Sequence, residues 1–198
     1  MRRFLTTLLV LGTVATAAVP LRAQGDGLTE SPDGPEAVRV YFTESEALAK
    51  VFGKADRGAR HTWTPTDEQR AGLAQRLGVA VTEASFAAWR GRDGDKDLGW
   101  ALVLEEKGRF KPITFMVHVG PDGRVAMVLV MVYRESRGDG VKRQRFLKQF
   151  RKKDAEDPLR LNRDIRMVSG ATLSSRALTA GVKRVLLQVE TRYGKGTK

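Results

Sequence analysis

The spacing of apolar residues changes period along the chain, and each change marks an element. Thr43 and Glu46 stand at capping-box spacing before Ala47, Leu48, Val51 and Phe52, which recur at helical intervals until Gly53 stops the run. Thr66 and Gln69 repeat that signature before Leu73, Ala74 and Leu77, with Gly78 as the stop. The period then shortens. Phe86 to Arg90, Leu98 to Leu104, Ile113 to Val119 and Arg124 to Arg134 read as strands, separated by turn signals at Asp93-Gly94, Gly108 and Pro121-Asp122-Gly123. Such short connections imply antiparallel neighbours. In the last run both alternating sets are apolar, Val125, Met127, Leu129 and Met131 against Ala126, Val128, Val130 and Val132, which predicts a central strand covered on both faces. From Ala171 the helical period returns, with Leu178, Val182, Val185 and Val189 on one face, and this longest helix ends near Gly194. The predicted fold class is α+β: an antiparallel sheet with flanking helices and a long C-terminal helix.

The first residues belong to none of these elements. Arg2 and Arg3 precede an apolar run from Phe4 to Val19 and a small residue at Ala23, the pattern of a secretory signal peptide. Cleavage is expected after Ala23, with Ala17 as the alternative. The run is shorter than the roughly 20 residues of a spanning helix, although an uncleaved N-terminal anchor is the competing reading. Gln24 to Glu36 is rich in Gly, Pro, Asp and Ser, as in a flexible tether. The expected organisation is a signal peptide over 1–23, a tether over 24–37, one domain over 38–194 and a disordered tail over 195–198. The domain is then periplasmic or otherwise extracytoplasmic.

Composition narrows the chemistry. The chain of 198 residues has no cysteine and only two histidines, His61 and His118. Disulfides, CxxCH haem attachment, cysteine-ligated iron–sulfur clusters, cysteine nucleophiles and histidine-rich metal sites are therefore excluded, and a redox function would need an organic cofactor. No metal site is assigned. The formal charge is +12, and 12 − 3 = +9 remains once Arg2, Arg3 and Arg22 leave with the signal. Lys142 to Lys153 holds Arg143, Arg145, Lys148, Arg151 and Lys152 around Phe146, Leu147 and Phe150, an amphipathic helix with a cationic face. For an exported chain this face suits anionic headgroups of a membrane surface or an acidic redox partner rather than nucleic acid; an ordinary solvated face is the plain alternative.

One stretch combines these signals. Ser169-Gly170-Ala171-Thr172 lies where the long helix should begin, with Ser169 available as N-cap and Thr172 in the first turn. Free backbone N–H groups and the positive helix end there suit a phosphate ester on the Thr172 hydroxyl. Gly170 allows close backbone approach and Ala171 keeps the neighbourhood clear. Ser-Gly before a helix is also an ordinary capping arrangement.

The wider pattern resembles the periplasmic FMN-binding domain family, which has related domains in the sodium-translocating NADH:quinone oxidoreductase and in the Rnf complex. That family attaches FMN, through its phosphate, to the threonine of a Ser/Thr-Gly-Ala-Thr motif by a magnesium-dependent flavin transferase. Ser169, Gly170, Ala171 and Thr172 match all four letters. Glu135-Ser136-Arg137-Gly138-Asp139-Gly140 is similar to a Glu-Thr-Pro-Gly-Leu-Gly segment near the flavin, matching Glu135, Gly138 and Gly140, with Ser136 conservative. Gly108-Arg109-Phe110 is similar to a Gly-Leu-Trp turn, which makes Phe110 a candidate ring contact, with an ordinary core residue as the alternative; Lys111 beside it either pairs with phosphate or faces water. The chain departs from the family three residues before the motif, where an acidic residue gives way to Arg166, with Asp164 two residues earlier.

The resemblance implies an extracytoplasmic electron carrier, matured by a flavin transferase and exchanging electrons with a membrane redox protein. Thr172 would be the acceptor in maturation and not a catalyst, since an unassisted threonine hydroxyl is a poor nucleophile. Two alternatives stand beside it: a flavoenzyme reducing a small extracytoplasmic substrate, and a cofactor-free basic binding module at the envelope surface.

Overall fold

The computed structural model describes residues 38–53 and 60–194. The expected signal peptide, the tether and the tail lie outside the described residues. Six strands form one antiparallel sheet in the order β1-β6-β5-β4-β3-β2. They are β1 (Arg39–Val40), β2 (Arg60–Trp63), β3 (Phe86–Asp93), β4 (Lys96–Lys107), β5 (Pro112–Val119) and β6 (Val125–Tyr133). The helices are α1 (Glu44–Phe52), α2 (Asp67–Leu77), α3 (Gln144–Leu147) and α4 (Thr172–Tyr193). The α+β class and the long C-terminal helix are observed. Among the described residues no helix is long and apolar enough to cross a membrane.

Local chemistry explains where α1 and α2 begin. Thr43 accepts a hydrogen bond from the Glu46 N–H while Glu46 accepts from the Thr43 N–H, and Thr66 with Gln69 does the same, so both capping boxes are complete. Gly78 then closes α2 in the left-handed conformation.

The sheet is covered on both faces. On one, α1 packs Ala47, Leu48 and Phe52 against Trp89, Ala101, Met116, Leu129 and Met131. On the other, α4 sets Leu178, Val182, Val185 and Leu186 against Phe115, Val117, Val128 and Val130. Each of these α4 side chains is at most 1% exposed, a burial that contributes about 1.5–3 kcal/mol per residue. β6 is covered on both faces as its composition implies, but it is not central. It stands second from the edge, flanked outside by the two-residue β1. Its register against β5 skips at Thr114/Phe115 and at His118/Val119. These bulges change which face successive residues meet, so both alternating sets must be apolar.

The cationic stretch also differs from its expectation. Lys142–Lys153 is not one helix: a 3-10 turn over Asp139–Lys142 meets Arg143 in extended geometry, then come four residues of α3 and a second 3-10 turn over Lys148–Phe150. The extended Arg143 interrupts the helical path. Phe146, Leu147 and Phe150 are buried in the main core, and Arg143, Arg145 and Lys148 face outward.

Candidate functional site

Where β6 ends, the chain turns over the start of α4, and Tyr133 ties the two together. Its hydroxyl donates to the Arg137 carbonyl at 2.6 Å and lies 2.8 Å from Ser174 Oγ. Burial pushes this phenol up to about 12, with the Ser174 hydrogen bond opposing and Glu135 and Asp139 adding to the rise. Gly138 passes directly over it: with φ 91°, a Cβ there would stand 2.6 Å from the Tyr133 hydroxyl and 3.0 Å from Ser174 Oγ. Only glycine fits both the left-handed backbone and the gap. The following turn is fixed by Asp139, whose carboxyl the Lys142 ammonium holds below the usual range, helped by Arg39 and Tyr41.

Glu135 is buried, 4% exposed, and its carboxylate faces the β4–β5 turn. Oε1 accepts from the Phe110 N–H at 2.7 Å and the Lys111 N–H at 3.1 Å. A Cβ on Gly108 would stand 2.8 Å from the same oxygen. Glu135 therefore sets the shape of the turn that presents Phe110, which is half exposed.

The start of α4 differs in one detail from its expectation. Ser169 is not the N-cap: Ser169-Gly170 form a turn, with Gly170 at φ 74°, and Ala171 caps the helix without a side-chain bond. The left-handed Gly170 carries the chain past the position from which Ser169 could reach the first N–H groups. Nothing lies within 4 Å of a Cβ built on Gly170, so its role here is backbone conformation. Thr172 is the first residue of α4 and is exposed. The Ser175 N–H donates to the Ala171 carbonyl, and Ser175 Oγ accepts from the Val168 N–H at 3.1 Å. Among the described residues no acceptor meets the N–H groups of Thr172, Leu173 and Ser174, which leaves donors and the positive helix end beside the Thr172 hydroxyl.

These three segments enclose a cavity of about 790 Å³. It brings together Phe110, Glu135, Ser136, Gly138, Gly170, Ala171 and Thr172 of the residues singled out from sequence. Ser169 and Lys111 are not on its wall, and Lys111 contributes instead through its N–H to Glu135. Sequence reasoning missed Arg109, Arg137, Leu173 and Ser174, which also line it, and Tyr133 beneath it. A tyrosine closing an apolar strand reads as core, so no signal distinguished it. Glu135 is the single acidic residue of the lining, and its Oε1 is already taken by two N–H donors. The lining thus sets two guanidiniums, Arg109 and Arg137, against one carboxylate, beside the positive helix end.

His118 Nε2 donates to the Leu98 carbonyl at 2.6 Å, and burial lowers its pKa.

Residues 108–187 match the model of a family described as FMN-binding domain. That stretch is similar to the FMN-binding domain family. The match spans the Phe110 turn, the Glu135–Gly140 segment and the Thr172 motif, so all three walls of the cavity lie inside it. One component of the proton-translocating ferredoxin:NAD(+) oxidoreductase complex of Clostridium ljungdahlii is 34% identical over 109 residues, covering 51% of this chain and 58% of that protein. The chain thus spans little more than half the length of this relative. The crystal structure of Shewanella oneidensis NqrC aligns at 20% identity with a TM-score of 0.46, covering 66% of each chain.

Proposed function

We propose that this FMN-binding domain holds FMN through a phosphoester on Thr172 Oγ and serves as an extracytoplasmic electron carrier. The observation that carries the reading is Thr172 itself: an exposed hydroxyl at the first residue of a 22-residue helix, on the wall of a cavity of about 790 Å³. That volume lies within the range of cofactor sites. A phosphate there would meet the N–H groups of Leu173 and Ser174, with Arg109 and Arg137 contributed by the other two walls. Phe110 and Leu173 offer apolar surface to a ring system, and Glu135, with one oxygen already bonded, brings little repulsion.

When bound, the isoalloxazine accepts and returns electrons; the chain supplies attachment, orientation and charge. Cationic surroundings favour the anionic reduced form. Attachment itself is the work of a flavin transferase, and the signal-peptide pattern of residues 1–23 supports maturation outside the cytoplasm. A membrane redox protein as electron donor or acceptor accords with the relative's naming as part of an oxidoreductase complex.

The test is co-expression of the domain with a flavin transferase. Yellow protein whose fluorescence survives denaturing electrophoresis, and is lost in Thr172→Ala, supports the reading. Fluorescence kept in that variant overturns the attachment site. A colourless product in both overturns the flavin reading in favour of a cofactor-free module.

A further inference from the structure

A second hollow, of about 520 Å³, is lined by Arg145, Phe146, Gln149, Arg166, Met167 and Val168. Arg166, Met167 and Val168 line this hollow and Gly170 to Ser174 line the cavity, so one short stretch of chain passes from the first to the second along the same face. That edge is fixed rather than loose: Gln149 donates to the Arg166 carbonyl at 3.0 Å and accepts from the Arg166 N–H at 2.8 Å, and Val168 is bonded to Ser175.

Two properties set this face apart. Arg109, Arg137, Arg145 and Arg166 are all exposed on it, and among the described residues none enters an ion pair with a carboxylate. Other arginines of the chain do find partners: Arg90 pairs with Asp97 at 2.7 Å and Arg124 with Asp154 at 3.0 Å. Of the six large hydrophobic side chains exposed among the described residues, three stand here: Phe110 at 50%, Leu173 at 43% and Met167 at 40%. Arginine, aromatic residues and methionine over concave, fixed backbone are what protein interfaces enrich.

We propose that this face is the docking surface for the acidic face of an electron-transfer protein, with Arg145 and Arg166 pairing to its carboxylates beside the cavity mouth. The inference rests on the proposed flavin site for its purpose, but the docking itself needs no flavin. A protein fits better than a membrane. The apolar side of the Lys142–Lys153 stretch, Phe146, Leu147 and Phe150, is at most 3% exposed, so it cannot enter lipid as an amphipathic membrane helix does. The arginines also lie around hollows, which a flat layer of headgroups would not fill.

The test uses the full chain, with and without flavin, and an acidic flavodoxin as the probe. The dissociation constant should weaken steadily between about 0.1 M and about 1 M salt, as the Debye length falls from about 10 to about 3 Å. Arg145→Glu with Arg166→Glu should weaken it by about tenfold or more. Arg92→Glu is the control, since Arg92 sits beside the β3–β4 turn and lines neither hollow. It should change little. Circular dichroism and thermal melting establish that each variant is folded. Equal loss in Arg92→Glu, or no loss in the double variant, overturns the proposal, as does cosedimentation with phosphatidylglycerol vesicles that the double variant abolishes while flavodoxin binding is unchanged. Absence of flavin in the wild type with binding intact leaves docking standing and overturns the cofactor reading alone.

Discussion

Tyr133→Phe isolates the contact that holds the cavity floor to α4. The ring stays, so packing is preserved and no void opens. What leaves is one hydroxyl, fully buried with the rest of the side chain, donating at 2.6 Å to the Arg137 carbonyl and 2.8 Å from Ser174 Oγ. A net hydrogen bond contributes about 0.5–1.5 kcal/mol, and stranding a buried polar partner costs about 1–3 kcal/mol. Ser174 is 3% exposed, at the cavity wall, so a value in the middle of that range, about 2 kcal/mol, is expected. For a domain of this size that corresponds to a fall in Tm of about 4–8 °C. Urea unfolding should give the same loss with unchanged m, and a double-mutant cycle with Ser174→Ala should show a coupling of about 0.5 kcal/mol or more. The pH dependence has a definite sign. Folding raises this phenol from 10.0 to about 12, so its contribution is complete below pH 10 and is lost as pH climbs from there towards 12. The gap between wild type and Tyr133→Phe should therefore narrow above pH 10. A variant within about 0.5 kcal/mol of wild type at pH 8, with no coupling to Ser174, would refute the assignment of Tyr133 as the tie.

Three further outcomes are expected. Because burial lowers the His118 pKa below 6.5, the unfolded chain takes up the proton first and wild-type stability should fall as pH drops below 6.5; urea midpoints at pH 7.5 and 5.5 should show this loss shrinking in His118→Gln. Gly138→Ala places a methyl 2.6 Å from the Tyr133 hydroxyl at a φ of 91° and should cost more than about 1 kcal/mol, read as a lower Tm together with lower flavin content after co-expression. Glu135→Ala should free the Phe110 and Lys111 N–H groups and destabilise by about 3 kcal/mol or more, since two bonds are lost and those to a charged acceptor contribute about 1.5–3 kcal/mol each; Glu135→Gln, which keeps a carbonyl acceptor, should lose less in the same melt.

Elements were legible where one residue type has one strong local use. Thr43 with Glu46 and Thr66 with Gln69 announce α1 and α2, and both boxes form. Strands β3 to β6 follow from composition and turns, whereas β1 and β2, at two and four residues, are too short and too polar to show a period. The bulges of β6 depend on its pairing with β5, and no strand sequence displays them. Ser169 reads as an N-cap and is not one, because a left-handed Gly170 moves the start of the helix, a choice made by the backbone and not by the side chains nearby. For the cavity, the motif residues point to the three walls. The reason they cohere, Glu135 turned inward and Tyr133 beneath Gly138, is tertiary. Arg145 and Arg166 lie 21 residues apart in sequence and line one hollow, where Gln149 holds the Arg166 backbone.

The most direct test of the account is peptide mass mapping of the chain after co-expression with a flavin transferase. Trypsin releases Met167–Arg176, which holds Thr172 with Ser169, Ser174 and Ser175. The account predicts this peptide heavier by one FMN less one water, with fragmentation assigning the addition to Thr172 and none present in Thr172→Ala. An addition on Ser169, Ser174 or Ser175, or an unmodified peptide from yellow protein, would contradict it.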